Sequence, residues 1–121
     1  MRARPLDRAA APVFYQCMLT SAGPDVGVLR ALADPGRLAI IQALATEQLC
    51  TCHLVELTGL RQTNVSNHLR LLREAGLVEA EPYGRFTYYR LVPEQLAALG
   101  SDLTALTRRS RTAARVKRPC A

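Results

Sequence analysis

At 121 residues and 49% hydrophobic content, the chain has room for one domain with a modest core, and with 5% aromatic residues and no Trp that core is expected to be aliphatic. No run of about 18 apolar residues occurs and the arginines near the N-terminus precede no long apolar segment, which argues against a membrane span or a secretory signal and makes the cytoplasm the expected location. The formal net charge of +6 invites a nucleic-acid reading, yet six of the 16 basic residues (Arg108, Arg109, Arg111, Arg115, Lys117, Arg118) crowd the C-terminus, and the remaining ten are matched by ten acidic residues.

Residues 1–23 are rich in Ala, Arg and Pro without a sustained period and are expected to form a mobile arm. Val13, Phe14 and Tyr15 are apolar enough to pack on a partner, and Cys17 lies in the same stretch. Pro24 and Asp25 can start a helix that runs through Val28, Leu29 and Leu32. Asp34-Pro35 is a restart signal, an N-cap followed by Pro at the first helical position. The helix it opens is expected to turn Leu38, Ile41 and Leu44/Ala45 to the core and to end near Thr46. Thr51 is the expected cap of a short helix burying Leu54 and Leu57 and closed by Gly59 in a left-handed conformation.

The stretch Leu57 to Gly76 then reads as a helix end, a turn and a second helix. Val65, Leu69 and Leu72 recur at i, i+4, i+7, which makes one buried stripe. At about 100° per residue, Thr63, Ser66, Asn67 and Arg70 fall on the opposite face. Short hydroxyls, amides and one cation are groups that read base edges and phosphates in a major groove, whereas a merely solvated face favours Glu and Lys. With Gln62, Asn64 and His68 these are the expected DNA-contacting residues. His68 projects beside Val65 and Leu69, so a half-buried structural role competes with a phosphate contact. Arg61 stands where a Ser or Thr cap would help, and Thr63 is a cap one turn later.

After Gly76 the period changes. Leu77–Glu81 reads as a strand, Pro82–Arg85 as a turn and Phe86–Leu91 as a second strand rich in aromatic and β-branched types. A hairpin directly after a helix-turn-helix is a wing, and Arg85 at its tip could reach a phosphate or the minor groove; a solvated Arg on a plain edge hairpin is the alternative. Pro93-Glu94 opens the last helix, whose Leu96, Leu99, Leu103 and Leu106 repeat at 3-4-3 spacing. Such a seam serves either the home domain or a paired helix, and DNA-reading dimers need one. The fold class expected is therefore mainly α with a small β-hairpin, a winged helix-turn-helix paired as a homodimer through its terminal helices. Its parts are an arm (1–23), a DNA-binding domain (24–107) and a basic tail (108–121).

Four cysteines stand at 17, 50, 52 and 120, and their spacing is not a disulfide framework. Metal, metalloid or redox chemistry is the better class, against a bland reading of small buried thiols. A thiol oxidoreductase or metal carrier would call for Cys-x-x-Cys beside a βαβ unit, which is missing. No paired carboxylates, nucleophile elbow or phosphate loop occurs either, so the chain is expected not to be an enzyme.

Several segments together resemble the ArsR/SmtB family of bacterial winged helix-turn-helix repressors that sense metals or metalloids. They are Ala31 to Arg37, the Leu49-Cys50-Thr51-Cys52-His53-Leu54 box, the Gln62–Leu72 helix and the Gly76-Leu77-Val78 junction. The resemblance covers roughly Val28 to Leu106. It implies that Cys50 and Cys52 bind arsenite, antimonite or a soft divalent ion. The third Cys of the best-known arsenic repressors is replaced here by Val55, and some members borrow a ligand from an N-terminal arm, for which Cys17 is the matching residue and Cys120 the competitor. The family's second site, carboxylates and histidines on the last helix, has no counterpart, since the two histidines are His53 and His68.

Residues two apart on a regular helix point about 200° from each other. Cys50 and Cys52 can therefore share an ion only if one lies before the helix or its first turn deforms. Coordination would then pull on the helix that braces the recognition helix, and a shift of about an ångström would misplace base contacts. A near-complete switch takes about 5.5 kcal/mol of differential affinity, within reach of several metal–thiolate bonds. Three thiolates suit a trivalent metalloid, while three with His53 or Cys120 added suit zinc or cadmium. The expected function is a dimeric repressor of operator DNA released by As(III) or Sb(III), with no cofactor needed for DNA binding. The alternatives are a cadmium-, lead- or zinc-responsive repressor and a thiol-redox sensor that bridges to Cys17.

Overall fold

The computed structural model describes residues 23–115 and 117–120. In chain order the elements are α1 (Val26–Leu32), α2 (Pro35–Leu44), β1 (Leu49–Cys50), α3 (Thr51–Thr58), α4 (Gln62–Glu74), β2 (Val78–Tyr83), β3 (Phe86–Leu91) and α5 (Pro93–Thr112). No helix among the described residues is long and apolar enough to cross a membrane.

Local chemistry sets the helix starts. The Asp25 carboxylate accepts from the backbone N–H of Gly27 at 2.8 Å and of Val28 at 3.3 Å, so Asp25 caps α1 from outside rather than sitting in its first turn. Asp34 accepts from the Arg37 N–H at 3.0 Å with Pro35 in the first turn, as expected. Gly59 ends α3 at φ 72°, where a side chain would be strained, and its N–H bonds the Val55 carbonyl at 2.9 Å. The Thr58 hydroxyl donates to the Leu54 carbonyl at 2.6 Å and accepts from the Leu60 N–H at 3.3 Å, fixing the turn into α4.

Ile40, Leu54, Val65, Leu69, Leu72 and Leu77 form the fully buried centre of the core. The stripe on α4 is as expected. Two others are rotated. On α2 the buried residues are Ile40, Ile41 and Leu44, while Leu38 is 43% exposed and Ala45, the C-cap, is exposed. On α3 Leu54 is buried and Val55 packs beside it, while Leu57 is 62% exposed. In both cases the misplaced leucine lies more than about 100° from the centre of the buried stripe. A leucine at i+3 belongs to a stripe only if it lies on the same side of the stripe's centre as the neighbouring element.

The sheet has order β1-β3-β2, antiparallel throughout. β2 and β3 pair from Val78↔Leu91 to Tyr83↔Phe86, so the wing turns on two residues, Gly84 and Arg85, with Gly84 at φ 62°. The sequence reading starts that turn at Pro82; Pro82 instead belongs to β2, an edge strand where its missing N–H leaves no bond unmade. β1 is a two-residue strand that pairs Leu49↔Tyr89 and Cys50↔Tyr88. It is too short to show a period of two.

Leu99 is buried and Leu96 packs at the edge of the core, while Leu103 and Leu106 are exposed. The seam therefore docks α5 at its beginning and leaves its second half uncovered. α5 continues to Thr112 and takes Arg108, Arg109 and Arg111 into the helix, past the boundary expected at residue 107.

Candidate metal centre and nucleic-acid interface

The thiol pair sits where β1 hands over to α3. Cys50 is the last residue of β1 and the N-cap of α3, with extended backbone angles (φ −88°, ψ 171°), and Cys52 is the second residue of the helix. Cys50 thus lies before the helix, and the opposed directions of residues two apart do not apply. The two Sγ atoms are 2.6 Å apart. Thr51, the expected cap, is inside the helix, because the extended residue that precedes the first turn is Cys50.

His53 joins the pair. Its Nδ1 accepts the Cys50 backbone N–H at 3.3 Å and lies 3.2 Å from Cys50 Sγ. The backbone N–H of His53 in turn points to the Cys50 side chain, a reciprocal capping arrangement built from a thiol and an imidazole. The ligand atoms of Cys50, Cys52 and His53 all lie within 4.8 Å of one another, with Cys50 buried, Cys52 exposed and His53 half-buried. From the sequence, a histidine at this helix start is expected to be a surface group; His53 is instead half-buried and turned onto Cys50. Its signal in the sequence is the i, i+3 spacing from Cys50, visible only once Cys50 is taken as the cap. Cys17 lies outside the described residues, and Cys120 is exposed.

Burial pushes the Cys50 thiol up, but the Cys52 side chain and the N–H groups of His53 and Cys52 donate to it and carry the net shift below the ordinary thiol value. Cys52 moves the other way. Its hydrogen bond to Cys50, then burial, then the neighbouring negative charge all hold its proton on. Of the two thiols, Cys50 is therefore the one that gives up its proton more readily.

The site is also tied to the wing. Cys50 pairs with Tyr88 across the sheet. The His53 ring meets the Tyr88 ring edge-on at 6.1 Å, and Tyr88 meets Tyr83 edge-on at 5.5 Å.

On α4, Gln62, Thr63, Asn64, Ser66, Asn67 and Arg70 are all exposed, opposite Val65, Leu69 and Leu72. Arg61 is the N-cap and supplies no side-chain bond, and Thr63 does not act as a later cap. Arg70 donates to Asn67 Oδ1 at 2.7 Å and Glu74 Oε1 at 2.9 Å, which holds its guanidinium along the exposed face. His68 faces elsewhere. Its Nδ1 is 3.4 Å from Arg37 Nη1 and its Nε2 is 3.7 Å from Asp34 Oδ2. Arg37 is anchored by its Nε–H to the Ala31 carbonyl at 2.7 Å. A Cβ on Gly36 would come within 2.8 Å of His68 Nε2, so a side chain there would push the imidazole from its place between α4 and α2. His68 thus joins the recognition helix to the start of α2. Arg85 is exposed at the tip of the wing.

Helices α3 and α4 joined by a tight turn and followed by a β2–β3 hairpin define a winged helix-turn-helix. The fold is shared with the homodimeric winged helix-turn-helix DNA-binding domain Mb0332 of Mycobacterium bovis, at TM-score 0.59 and 26% identity over 91% of this chain and 99% of that one. Residues 34–80 match the bacterial regulatory protein, arsR family. Over 74 residues the chain is 36% identical to the arsenical resistance operon repressor of Bacillus subtilis, covering 60% of this chain and 70% of that protein. Over 78 residues it is 42% identical to the HTH-type transcriptional repressor SmtB of Mycobacterium tuberculosis, covering 64% of this chain and 58% of SmtB, little more than half of SmtB's length. The chain belongs to the arsR family.

Proposed function

We propose that this chain is a cytoplasmic transcriptional repressor that binds operator DNA as a homodimer and is released when Cys50 and Cys52 capture a thiophilic ion. The observation that carries the reading is the convergence of two sulfurs, one before α3 and one inside it. An ion held by both spans the joint between the wing sheet and the first helix of the DNA-reading unit. Moving that joint moves α4 and the wing together.

The DNA contacts of this reading come from Gln62, Thr63, Asn64, Ser66, Asn67 and Arg70 on α4 and from Arg85 on the wing, all exposed. Dimerisation uses the uncovered Leu103 and Leu106 of α5. The residues from Arg108 onward add sequence-independent attraction to phosphate. Arsenite or antimonite is the leading inducer, its third sulfur supplied by Cys17 of the N-terminal segment. The kinship with arsenical resistance repressors supports this choice. A divalent inducer, cadmium, lead or zinc, is the second reading, and the imidazole beside the thiols favours it.

The test is a titration of the DNA-bound protein with arsenite, antimonite, cadmium and zinc under reducing conditions. Binding to a palindromic duplex with half-sites about one helical turn apart is expected to weaken steeply with salt and to disappear on adding the inducer. Cys50→Ser and Cys52→Ser are expected to keep DNA binding and lose the response. Variants that still respond would place the sensor elsewhere.

A further inference from the structure

We infer that His68 is a positioning residue for operator reading: held by Arg37 and Asp34 against the first turn of α2, it sets the roll of α4 without itself meeting DNA. The inference rests on α4 being the DNA-reading helix and names what aims it.

His68 shares a turn of α4 with Ser66, Asn67 and Arg70, yet it is half-buried where they are exposed. Its side chain keeps only 17% of its accessible surface, and to reach a phosphate the ring would have to leave its contacts on α2. Those contacts have a direction. A guanidinium only donates, so Nδ1, 3.4 Å from Arg37 Nη1, is the accepting nitrogen of the neutral ring, and the ring proton sits on Nε2, toward Asp34 Oδ2 at 3.7 Å. Both partners are themselves fixed. Arg37 donates from Nε to the Ala31 carbonyl at 2.7 Å and from Nη2 to the Arg30 carbonyl at 3.4 Å, at the C-terminal end of α1, where a cation is favoured. Asp34 is held as the cap of α2 by the Arg37 N–H at 3.0 Å. The edge of the imidazole lies over Gly36, where an added Cβ would stand 2.8 Å from Nε2 and 3.2 Å from Cδ2. His68 therefore gathers the end of α1, the start of α2 and the middle of α4 at one point.

What this adds to the apolar packing is control of rotation. Val65, Leu69 and Leu72 bury one side of α4, but hydrophobic contact is non-directional and a stripe of such residues tolerates small rolls. A hydrogen bond at the edge of the stripe does not. Side chains reach about 5–6 Å from a helix axis, so a roll of about 10° carries their tips about an ångström. That is enough to misalign a hydrogen bond from Asn67 or Arg70 to a base edge.

The experiment compares His68→Ala, His68→Asn and Arg37→Met in the full chain. The probes are a palindromic duplex selected by the wild type from a random pool and a random duplex of equal length, both titrated over a salt series well below the thermal midpoint. His68→Ala is expected to lose about tenfold in affinity for the selected duplex, the scale of one misread base pair. Its affinity for the random duplex and its slope of log affinity against log salt are expected to stay as in the wild type. In His68→Asn the amide oxygen takes the place of Nδ1 and accepts from Arg37, so most of the loss is expected to be recovered. Arg37→Met is expected to match His68→Ala, and the double variant to lose no more than either alone. In the wild type, the nitrogen-15 resonances of the His68 ring are expected to be the same free and DNA-bound, a readout that needs no variant to fold. A lower thermal midpoint with selected-duplex affinity unchanged makes His68 merely structural and overturns the inference. So does a salt slope reduced by about 0.9, the mark of a lost phosphate contact, an Asn variant no better than Ala, or ring resonances moved by DNA. If the wild type prefers no duplex over the random one, the DNA-reading assignment of α4 falls and the inference with it. If the wild type discriminates and His68→Ala discriminates equally, only the positioning role falls.

Discussion

The two helices of the DNA-reading unit begin in opposite ways. At the start of α3 the free N–H groups and the cap residue are bonded to each other through a thiol and an imidazole, half-buried against the wing. At the start of α4 the N-cap is Arg61, which offers no side-chain acceptor, and the next three residues, Gln62, Thr63 and Asn64, are exposed. Each helix presents the same unsatisfied donors and the same positive end of its dipole. One set is closed by a thiol and an imidazole, and the other has no side-chain cap. In the proposed repressor the first is the sensing end and the second the phosphate-facing end.

That contrast concerns helix ends only if both helices are held equally well in the middle. Leu54 of α3 and Leu69 of α4 are each essentially inaccessible to solvent. Leu54→Ala and Leu69→Ala are each expected to cost about 2–5 kcal/mol in urea unfolding, the usual range for a leucine truncated in a packed core. A cost below about 1 kcal/mol at Leu54 alone would mean that the cap, not the core, holds α3.

The end of α3 is the next largest effect. Cys50→Ala removes the acceptor for the N–H groups of the first turn and is expected to cost about 0.5–2 kcal/mol, whereas Cys50→Ser keeps a capping oxygen and costs less. At the other end Arg61→Ala removes no cap bond and is expected to leave the thermal midpoint unchanged. Arg61→Ser is expected to raise stability by up to about 1 kcal/mol by supplying the missing cap. If the open end serves phosphate, the same substitution weakens DNA binding, and a duplex titration at fixed salt reads the loss. A variant that is more stable and binds DNA equally well would break the proposed division between the ends.

Much of this was written locally in the sequence, and what was not has a common cause. The α4 stripe of Val65, Leu69 and Leu72, the Asp34-Pro35 start and the Gly59 stop each depend on residues within a turn or two of one another. The fold class and the thiol pair followed from such signals. β1 is not legible because two residues carry no period, and without it no local pattern makes Cys50 rather than Thr51 the cap of α3. His53 is legible as an added ligand for zinc or cadmium, but its bond to the Cys50 N–H is not, because that bond depends on Cys50 being the cap. Leu38 and Leu57 fit a core stripe by spacing alone, but spacing fixes a helical stripe and not the direction it faces, and both are exposed. His68 is the long-range case. Its partners Asp34 and Arg37 lie some thirty residues away on α2, so no local pattern distinguished a joint between helices from a DNA contact.

The start of α2 offers the smallest and most selective probe. Here the cap is a carboxylate, and it faces the middle of α4 through His68. The Arg37 backbone N–H first of all holds the Asp34 carboxyl below its ordinary 3.8; burial opposes it, and the nearby charges of Arg37 and His68 add to the lowering. A carboxyl whose value is lower in the folded chain than in the unfolded one stabilises fully at pH above the unfolded value, and that contribution is lost as pH falls through the folded one. Stability is therefore expected to decline below about pH 4 through this group, and the slope to flatten in Asp34→Asn, which keeps an acceptor oxygen for the cap but has no proton to take up. Because Arg37 and His68 both face Asp34, protonation leaves those two basic groups adjacent without their acid, and the gap between α2 and α4 should open before α3 is disturbed. Amide hydrogen exchange at pH 3.5 and pH 6 is the measurement. Faster exchange confined to α2 and the centre of α4, with the thiol-capped start of α3 still protected, is the outcome expected of one helix end closed by a carboxylate and another closed by a thiol and an imidazole.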